Sequence, residues 1–363
     1  MNQNLLKGLF ILLVIMDHNE FVRSIFPGFL QGFGFHVMGF MMIPFLRPAT
    51  RIDGNFLQYL FRLYYPFLVI VTLMSVVVAW ITPISALEQA GRWALALYSG
   101  HSGILKETTH MALLWFMPSF ISLIVLRTLI ENVNQWIKAI AILGACLAHP
   151  FIGPMAPLIR DYLPLGLLPA LYVLPLAYLG IFLHQHCFQP LGRMTALLLS
   201  GAIFILVKTC QMAFGFSNEI GFAAVAGYGD WLAMALNDAE AVVGVLMLFQ
   251  ACRFPLVPAI EPFGQYSLQI YLLHAFVALA IYKLVLATNI TSVSVLFAIT
   301  LTTTSVATLA LARFAATQPH IRRFLFPRSW QELAGRPGPL AQAAIQSTLS
   351  SGSSDMINRN NGR

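Results

Sequence analysis

The chain has 363 residues, of which 58% are hydrophobic and only 10% charged, with a formal charge of +7. Soluble domains carry about 25% charged residues, so this composition, with a mean hydropathy of +0.75, excludes an ordinary soluble fold and indicates an integral membrane protein. The positive charge lies largely in short connections and near the C-terminus, where it orients helices and meets anionic lipid. It does not indicate nucleic acid as a partner.

A membrane-spanning helix needs about 20 apolar residues. Ten runs meet or approach that length, at about 5–22, 28–46, 62–82, 110–130, 135–152, 163–183, 194–214, 231–251, 267–287 and 292–312. The first, second and eighth contain polar residues. No small-residue cleavage site follows the first run and further runs succeed it, so it reads as a retained helix. Between the third and fourth runs, "ALEQAGRWALALYSG" has the apolar spacing of an amphipathic helix lying on the membrane surface. The expected fold is all-α, with a transmembrane domain over 1–327. A polar cytoplasmic tail over 328–363, ending "SSGSSDMINRNNGR", has the composition of a disordered segment. Cys146, Cys187, Cys210 and Cys252 are scattered singly in or beside apolar runs and read as inert buried thiols.

Ten spans put both termini on one side. With a cytoplasmic N-terminus, the inner connections hold eleven basic residues: Arg47, Arg51, Arg62, Arg127, Lys138, Arg193, Arg253, Arg313, Arg322, Arg323 and Arg328. The outer side holds six: Arg23, Arg92, Lys106, Arg160, Lys208 and Lys283. That excess places both termini in the cytoplasm.

Ionisable groups inside a span are expensive and mark candidate functional sites. His18 lies roughly 20 Å along the first helix from Leu5, and His36 roughly 12 Å below the outer boundary on the second, at 1.5 Å per residue. The two imidazoles therefore match in depth. Neutral histidine near its ordinary pKa can take a proton from a hydroxyl or be acylated itself. Asp17 adjoins His18, but helix neighbours diverge by about 100°, so Asp17 is free to orient His36 or pair with an arginine. The alternative is that 17–20 only mark the frayed end of the helix.

In the eighth span, "ALNDAEAVVG" carries Asp238 and Glu240. Either they bind sugar hydroxyls in a polar cavity, or they form structural pairs with Lys208 or Arg160. The connection "RPATRIDGNFLQYLFR" holds Arg47, Arg51 and Arg62, which either clamp phosphates or simply obey the positive-inside rule. His274 lies in "SLQIYLLH", roughly 10 Å from the inner side, as a ligand contact or a core histidine. Glu131 at an inner helix end reads as solvated, and His184 and His186 at another need no function. GxxxxGK[ST], HExxH, CxxC and GxSxG are absent, which argues against common ATPase, zinc-peptidase, thioredoxin-like and α/β-hydrolase chemistry.

Five stretches resemble, in order, segments of the acyltransferase-3 family: "KGLFILLVIMDH", "FHVMGFMMIPFL", "FRLYYPF", "LLWFMPSF" and "GQYSLQIYLLH". The resemblance covers about 5–275. It implies a multi-pass enzyme of the bacterial inner membrane that moves acetyl from cytoplasmic acetyl-CoA to a sugar hydroxyl of an exopolysaccharide or lipopolysaccharide unit, with no metal. Carried over by position, His18 is the catalytic histidine, His36 its partner, and Arg62 the second arginine of the family's RxxR pattern. Tyr59 stands where that pattern has its first arginine, Asp17 where the family often has a small residue, and Ile43-Pro44 where it has Ser-Gly. The expectation is that acetyl-CoA docks near Arg47, Arg51, Arg62 and His274. His18, helped by Asp17 or His36, activates the acceptor hydroxyl or carries the acetyl group. The glycan or lipid-linked oligosaccharide acceptor sits near Asp238, Glu240, Trp115 and His110. The rival reading is a transporter or flippase of a lipid-linked sugar, which would use the same polar cavity without chemistry.

Overall fold

The computed structural model describes residues 2–25, 34–48, 51–159, 163–216, 231–255, 258–288 and 290–334. Every regular element among them is helical. In chain order the helices are α1 Gln3–Asp17, α2 Gly34–Met42, α3 Gly54–Ile81, α4 Ala86–Ser99, α5 Ser102–Thr109, α6 Phe116–Glu131, α7 Gln135–Ile159, α8 Leu167–Leu183, α9 Arg193–Ala213, α10 Trp231–Ala251, α11 Ser267–Leu286, α12 Val293–Thr317 and α13 Pro319–Leu325. The start of the second expected span (28–33), Arg160 and the chain after 334 lie outside the described residues.

Eight helical segments are long and apolar enough to cross a membrane, and they coincide with the third to tenth expected spans. The first two are shorter. α1 has 15 residues and α2 has nine, the latter running into a 3-10 turn at Ile43–Leu46. α1 does not continue to residue 22 because its polar end makes a turn. His18 is its C-cap, and the Asn19 side chain accepts from the Phe21 amide at 3.0 Å. Asn19 is buried and donates to Thr300 Oγ1 at 2.8 Å, so the turn is anchored on α12. α3 begins earlier than expected, because Asp53 caps it by accepting from the Phe56 amide at 2.9 Å. Arg62 is consequently a helical residue.

α1 is the centre of the bundle. It packs against α2, α10, α11, α12 and the short helix Glu261–Gln265. Two glycines permit this closeness. A Cβ on Gly39 would meet the Phe10 ring at 2.1 Å, and one on Gly264 would meet the Asn4 carbonyl oxygen at 1.7 Å. Transmembrane helices associate through such tight van der Waals packing, because lipid removes the usual hydrophobic drive between them.

The amphipathic segment forms α4, which ends at Gly100 in the left-handed conformation (φ 60°), and the rest of that connection forms α5. It is packed on α3 and not simply laid on a membrane surface. Gln89 is buried, and its amide nitrogen donates to the Ser75 carbonyl, Ser75 Oγ and the Thr108 carbonyl at 2.9–3.1 Å. Past Pro327, beyond the expected domain boundary, the chain stays packed. Trp330 lies on Phe61 with ring centroids 3.7 Å apart, and Arg322 pairs with Glu332 at 2.7 Å. Of the cysteines, Cys252 is buried as expected and Cys210 is half-buried, whereas Cys146 and Cys187 are exposed on the protein surface.

Candidate active site

Two cavities lie along α1 and α11, and the same two helices line both. The larger, about 450 Å³, is bordered by Gln3 and Lys7 of α1, Ser267, Leu268 and Tyr271 of α11, and Phe40, Arg47, Tyr59, Phe116 and Arg127. An adjoining space of about 310 Å³ shares Gln3, Lys7 and Arg47 and widens its mouth. The smaller cavity, about 180 Å³, is bordered by Ile15, His18, Asn19 and Glu20, by Ala275, Ala278, Leu279 and Tyr282 of α11, and by Thr300 and Thr304 of α12. Between the two, on α11, stands His274.

His18 and His274 meet edge to face with ring centroids 5.1 Å apart. Each is held through Nδ1 by a main-chain carbonyl of its own helix. His18 Nδ1 lies 2.8 Å from the Val14 oxygen, and His274 Nδ1 lies 2.7 Å from the Tyr271 oxygen. A carbonyl only accepts, so in both rings Nδ1 carries the hydrogen and Nε2 carries the lone pair. His274 is fully buried, with no hydrogen-bond partner for Nε2 among the described residues. His18 is exposed and forms part of the wall of the small cavity. Its imidazole is thus an accessible base in the tautomer that accepts a proton.

Asp17 does not orient His18. Its Oδ2 lies 4.0 Å from His36 Nε2, with His36 almost wholly buried, so the Asp17–His36 pair is an electrostatic neighbour of the imidazole pair. The wall of the large cavity is aromatic towards the histidines. Phe116 stacks on Phe120 at 5.4 Å and contacts Phe40 and Tyr271 at 6.0 and 5.1 Å, and the Tyr271 hydroxyl donates to the Leu113 carbonyl. At the far end the wall is basic. Arg127 donates to the Arg47 carbonyl and lies over the Phe45 ring, 5.0 Å from its centroid. The cavity thus has an aromatic side, whose Tyr271 ring lies 6.0 Å from the His274 ring, and a basic end with Lys7, Arg47 and Arg127.

A model of the acyltransferase-3 family, described as an acyltransferase domain, matches residues 3–312. The chain belongs to the acyltransferase-3 family. Searches of curated proteins and of solved structures returned no match. As a member of the acyltransferase-3 family with eight helices able to cross a bilayer, the chain is a multi-pass membrane acyltransferase.

The geometry redistributes the residues singled out in this acyltransferase from sequence. His18 and His274 come together. Of the three arginines expected at the coenzyme, only Arg47 borders the large cavity. Arg51 is exposed, and Arg62 is exposed with Nε donating to the Arg328 carbonyl at 2.7 Å. The other two cations bordering that cavity are Lys7 and Arg127. Asp238 and Glu240 do not border the small cavity. Asp238 accepts from the Tyr172 hydroxyl at 2.6 Å and pairs with His149 Nε2 at 2.8 Å. Glu240 forms a fully buried ion pair with Lys208 at 2.6 Å. Glu240 thus makes the expected pair with Lys208, whereas Asp238 takes partners not expected from sequence, His149 and Tyr172. Trp115 is buried in the 3-10 turn Ala112–Trp115 and His110 is an exposed helix cap, and neither reaches the small cavity. Glu131 is not simply solvated. It accepts from Lys138 Nζ at 2.6 Å and from the Tyr178 hydroxyl at 2.9 Å. Thr300 and Thr304 carry no sequence signal, because threonines are common in apolar helices, Asn19 reads only as part of the polar end 17–20, and His149 in "CLAHPF" is an intramembrane imidazole with no role assigned from sequence. Among the described residues no cluster of His, Cys, Asp or Glu is arranged to hold a metal.

Proposed function

We propose that the chain is an O-acetyltransferase of the bacterial inner membrane. It moves acetyl from cytoplasmic acetyl-CoA to a sugar hydroxyl of a surface glycan, either an exopolysaccharide or lipopolysaccharide unit or its lipid-linked precursor. The observation that carries this reading is the position of His18 and His274 between a basic-mouthed cavity and a hydroxyl-lined one, each ring with its lone pair on Nε2. The charge bias of the connections puts the basic mouth on the cytoplasmic face. Lys7, Arg47 and Arg127 meet the coenzyme phosphates, the pantetheine arm follows the aromatic wall, and the thioester ends near Tyr271.

The acceptor enters the small cavity, where Asn19, Thr300 and Thr304 offer hydrogen bonds and Ala275 and Ala278 leave room for a ring. His18 Nε2 takes the proton of the hydroxyl as its oxygen bonds to the acetyl carbonyl carbon. The thioester carbon–sulfur bond breaks, and the leaving sulfur regains the proton from the imidazolium. His274 positions His18 through the edge contact. Asp17 and His36 lend a favourable field to the imidazolium.

The test uses cells producing His18→Ala at the normal level. Loss of acetyl from a glycan that is still exported is the expected result. Loss of export with acetylation intact on the retained glycan would overturn the enzyme and favour a transporter.

A further inference from the structure

One polar cavity, partly open to its surroundings, takes no part in that chemistry. Where α8 and α10 end and α9 begins, this cavity of about 400 Å³ is bordered by His184, Gln189, Arg193, Cys252 and Arg253. It shares no residue with the large cavity. Helix alternation places it on the same membrane face as Lys7 and Arg47. The C-terminal end of α8 widens into a π-helical turn, His184–Phe188, and Arg253 braces that turn. Its guanidinium donates to Gln250 Oε1 at 2.9 Å and, more loosely, to the carbonyls of Phe188, Gln189 and Leu191 at 3.4–3.5 Å. All four acceptors are neutral, so the cation is fixed in place without being neutralised.

The same network sets the tautomer of His184. Gln250 turns its oxygen to Arg253, so its amide nitrogen faces His184 Nδ1 at 3.2 Å and donates to it. The ring hydrogen of His184 is then on Nε2, as a donor. Arg193, the first residue of α9, adds an exposed guanidinium. Two guanidiniums and an imidazole N–H border the space, and among the described residues no carboxylate does. Cys252 is buried behind them as neutral wall.

We propose that this cavity binds a phosphate group, as monoester or diester, at a site separate from the donor cavity. A phosphate offers acceptor oxygens only, and guanidinium forks match it geometrically. An anionic phospholipid headgroup and free phosphate share this chemistry, and the membrane face favours the lipid.

The full-length protein in detergent is titrated with phosphatidylglycerol, and with diacylglycerol as the phosphate-free control, by native mass spectrometry. Inorganic phosphate is titrated separately against chloride at matched ionic strength by thermal shift. Saturable phosphatidylglycerol binding that Arg193→Gln weakens about tenfold supports the site with a lipid occupant. Phosphate protection without lipid binding supports it with a free anion. Arg193 makes no bracing bond to the turn, so its loss does not unfold the site, and His184→Phe serves as the second variant. Failure of both probes to bind the wild type overturns the proposal. So does binding unchanged in both variants, and so does displacement of the probe by desulfo-CoA, which would merge this cavity with the donor site.

Discussion

Replacing Lys7 by glutamine removes one cation from the wide end of the donor cavity while leaving α1 its length and its apolar face. Lys7 borders both the cavity of about 450 Å³ and the adjoining space of about 310 Å³, so an anionic head bound at the proposed donor mouth lies beside it. A hydrogen bond to a charged group contributes about 1.5–3 kcal/mol, or about 10- to 150-fold in binding. Lys7 is only half-buried and its neighbour Arg47 is exposed, so solvent screening puts the effect near the lower end, about tenfold. The assay is the KM for acetyl-CoA at saturating acceptor. The control is Arg62→Gln, because Arg62 is committed to the Arg328 carbonyl and does not border the cavity. Its KM should stay within about twofold of wild type. A larger change from Arg62→Gln than from Lys7→Gln would refute the placement of the donor and restore the arginine set expected from sequence.

Other consequences follow from single contacts. Ala278→Leu intrudes on a cavity of about 180 Å³. It should raise acceptor KM about tenfold or more while acetyl-CoA KM holds, and equal effects on both substrates would contradict separate cavities. Asp17→Asn removes a partly exposed charge 4.0 Å from His36, so acetyl transfer should stay within about fivefold of wild type. A loss as deep as that of His18→Ala would make Asp17 part of the proton transfer itself. Lys208→Met strands Glu240 in the interior and should destabilise the protein by about 3–5 kcal/mol, read as a lower Tm in detergent. Lys208→Met with Glu240→Leu should recover much of it, and a double variant no better than the single would show that the ion pair is not the stabilising unit.

Eight spans were legible because a run of about 20 apolar residues has no other stable use in lipid. The ends of α1 and α2 were not, since the stop of α1 depends on Asn19 bonding Thr300, some 280 residues away. Depth arithmetic matched His18 to His36, yet the imidazole that touches His18 is His274. The reason lies in the packing of Gly264 on Asn4. From that level, ten residues carry the chain to His274 and fourteen to His18, a difference of roughly 6 Å at 1.5 Å per residue, which two imidazoles span. Counting from a bilayer boundary could not see this close glycine contact. Which cations border the large cavity was hidden for a similar reason. Arg51 and Arg62 are near Arg47 in sequence, but α3 begins at Gly54 and carries Arg62 to the C-terminal segment. Arg127 instead reaches Arg47 from α6. Asp238 and Glu240 are legible as intramembrane carboxylates, but their partners, His149 and Lys208, lie 89 and 32 residues away and only the fold brings them together.

The central claim is that the His18 imidazole moves the proton of acetyl transfer. The most direct measurement gives the purified protein in lipid vesicles acetyl-CoA labelled in its acetyl group, with a glycan acceptor, and compares initial rates of label transfer for wild type and His18→Ala. The account predicts a rate at least about 10²-fold lower for His18→Ala, with acetyl-CoA binding retained. Transfer by His18→Ala at a rate within about threefold of wild type would contradict it.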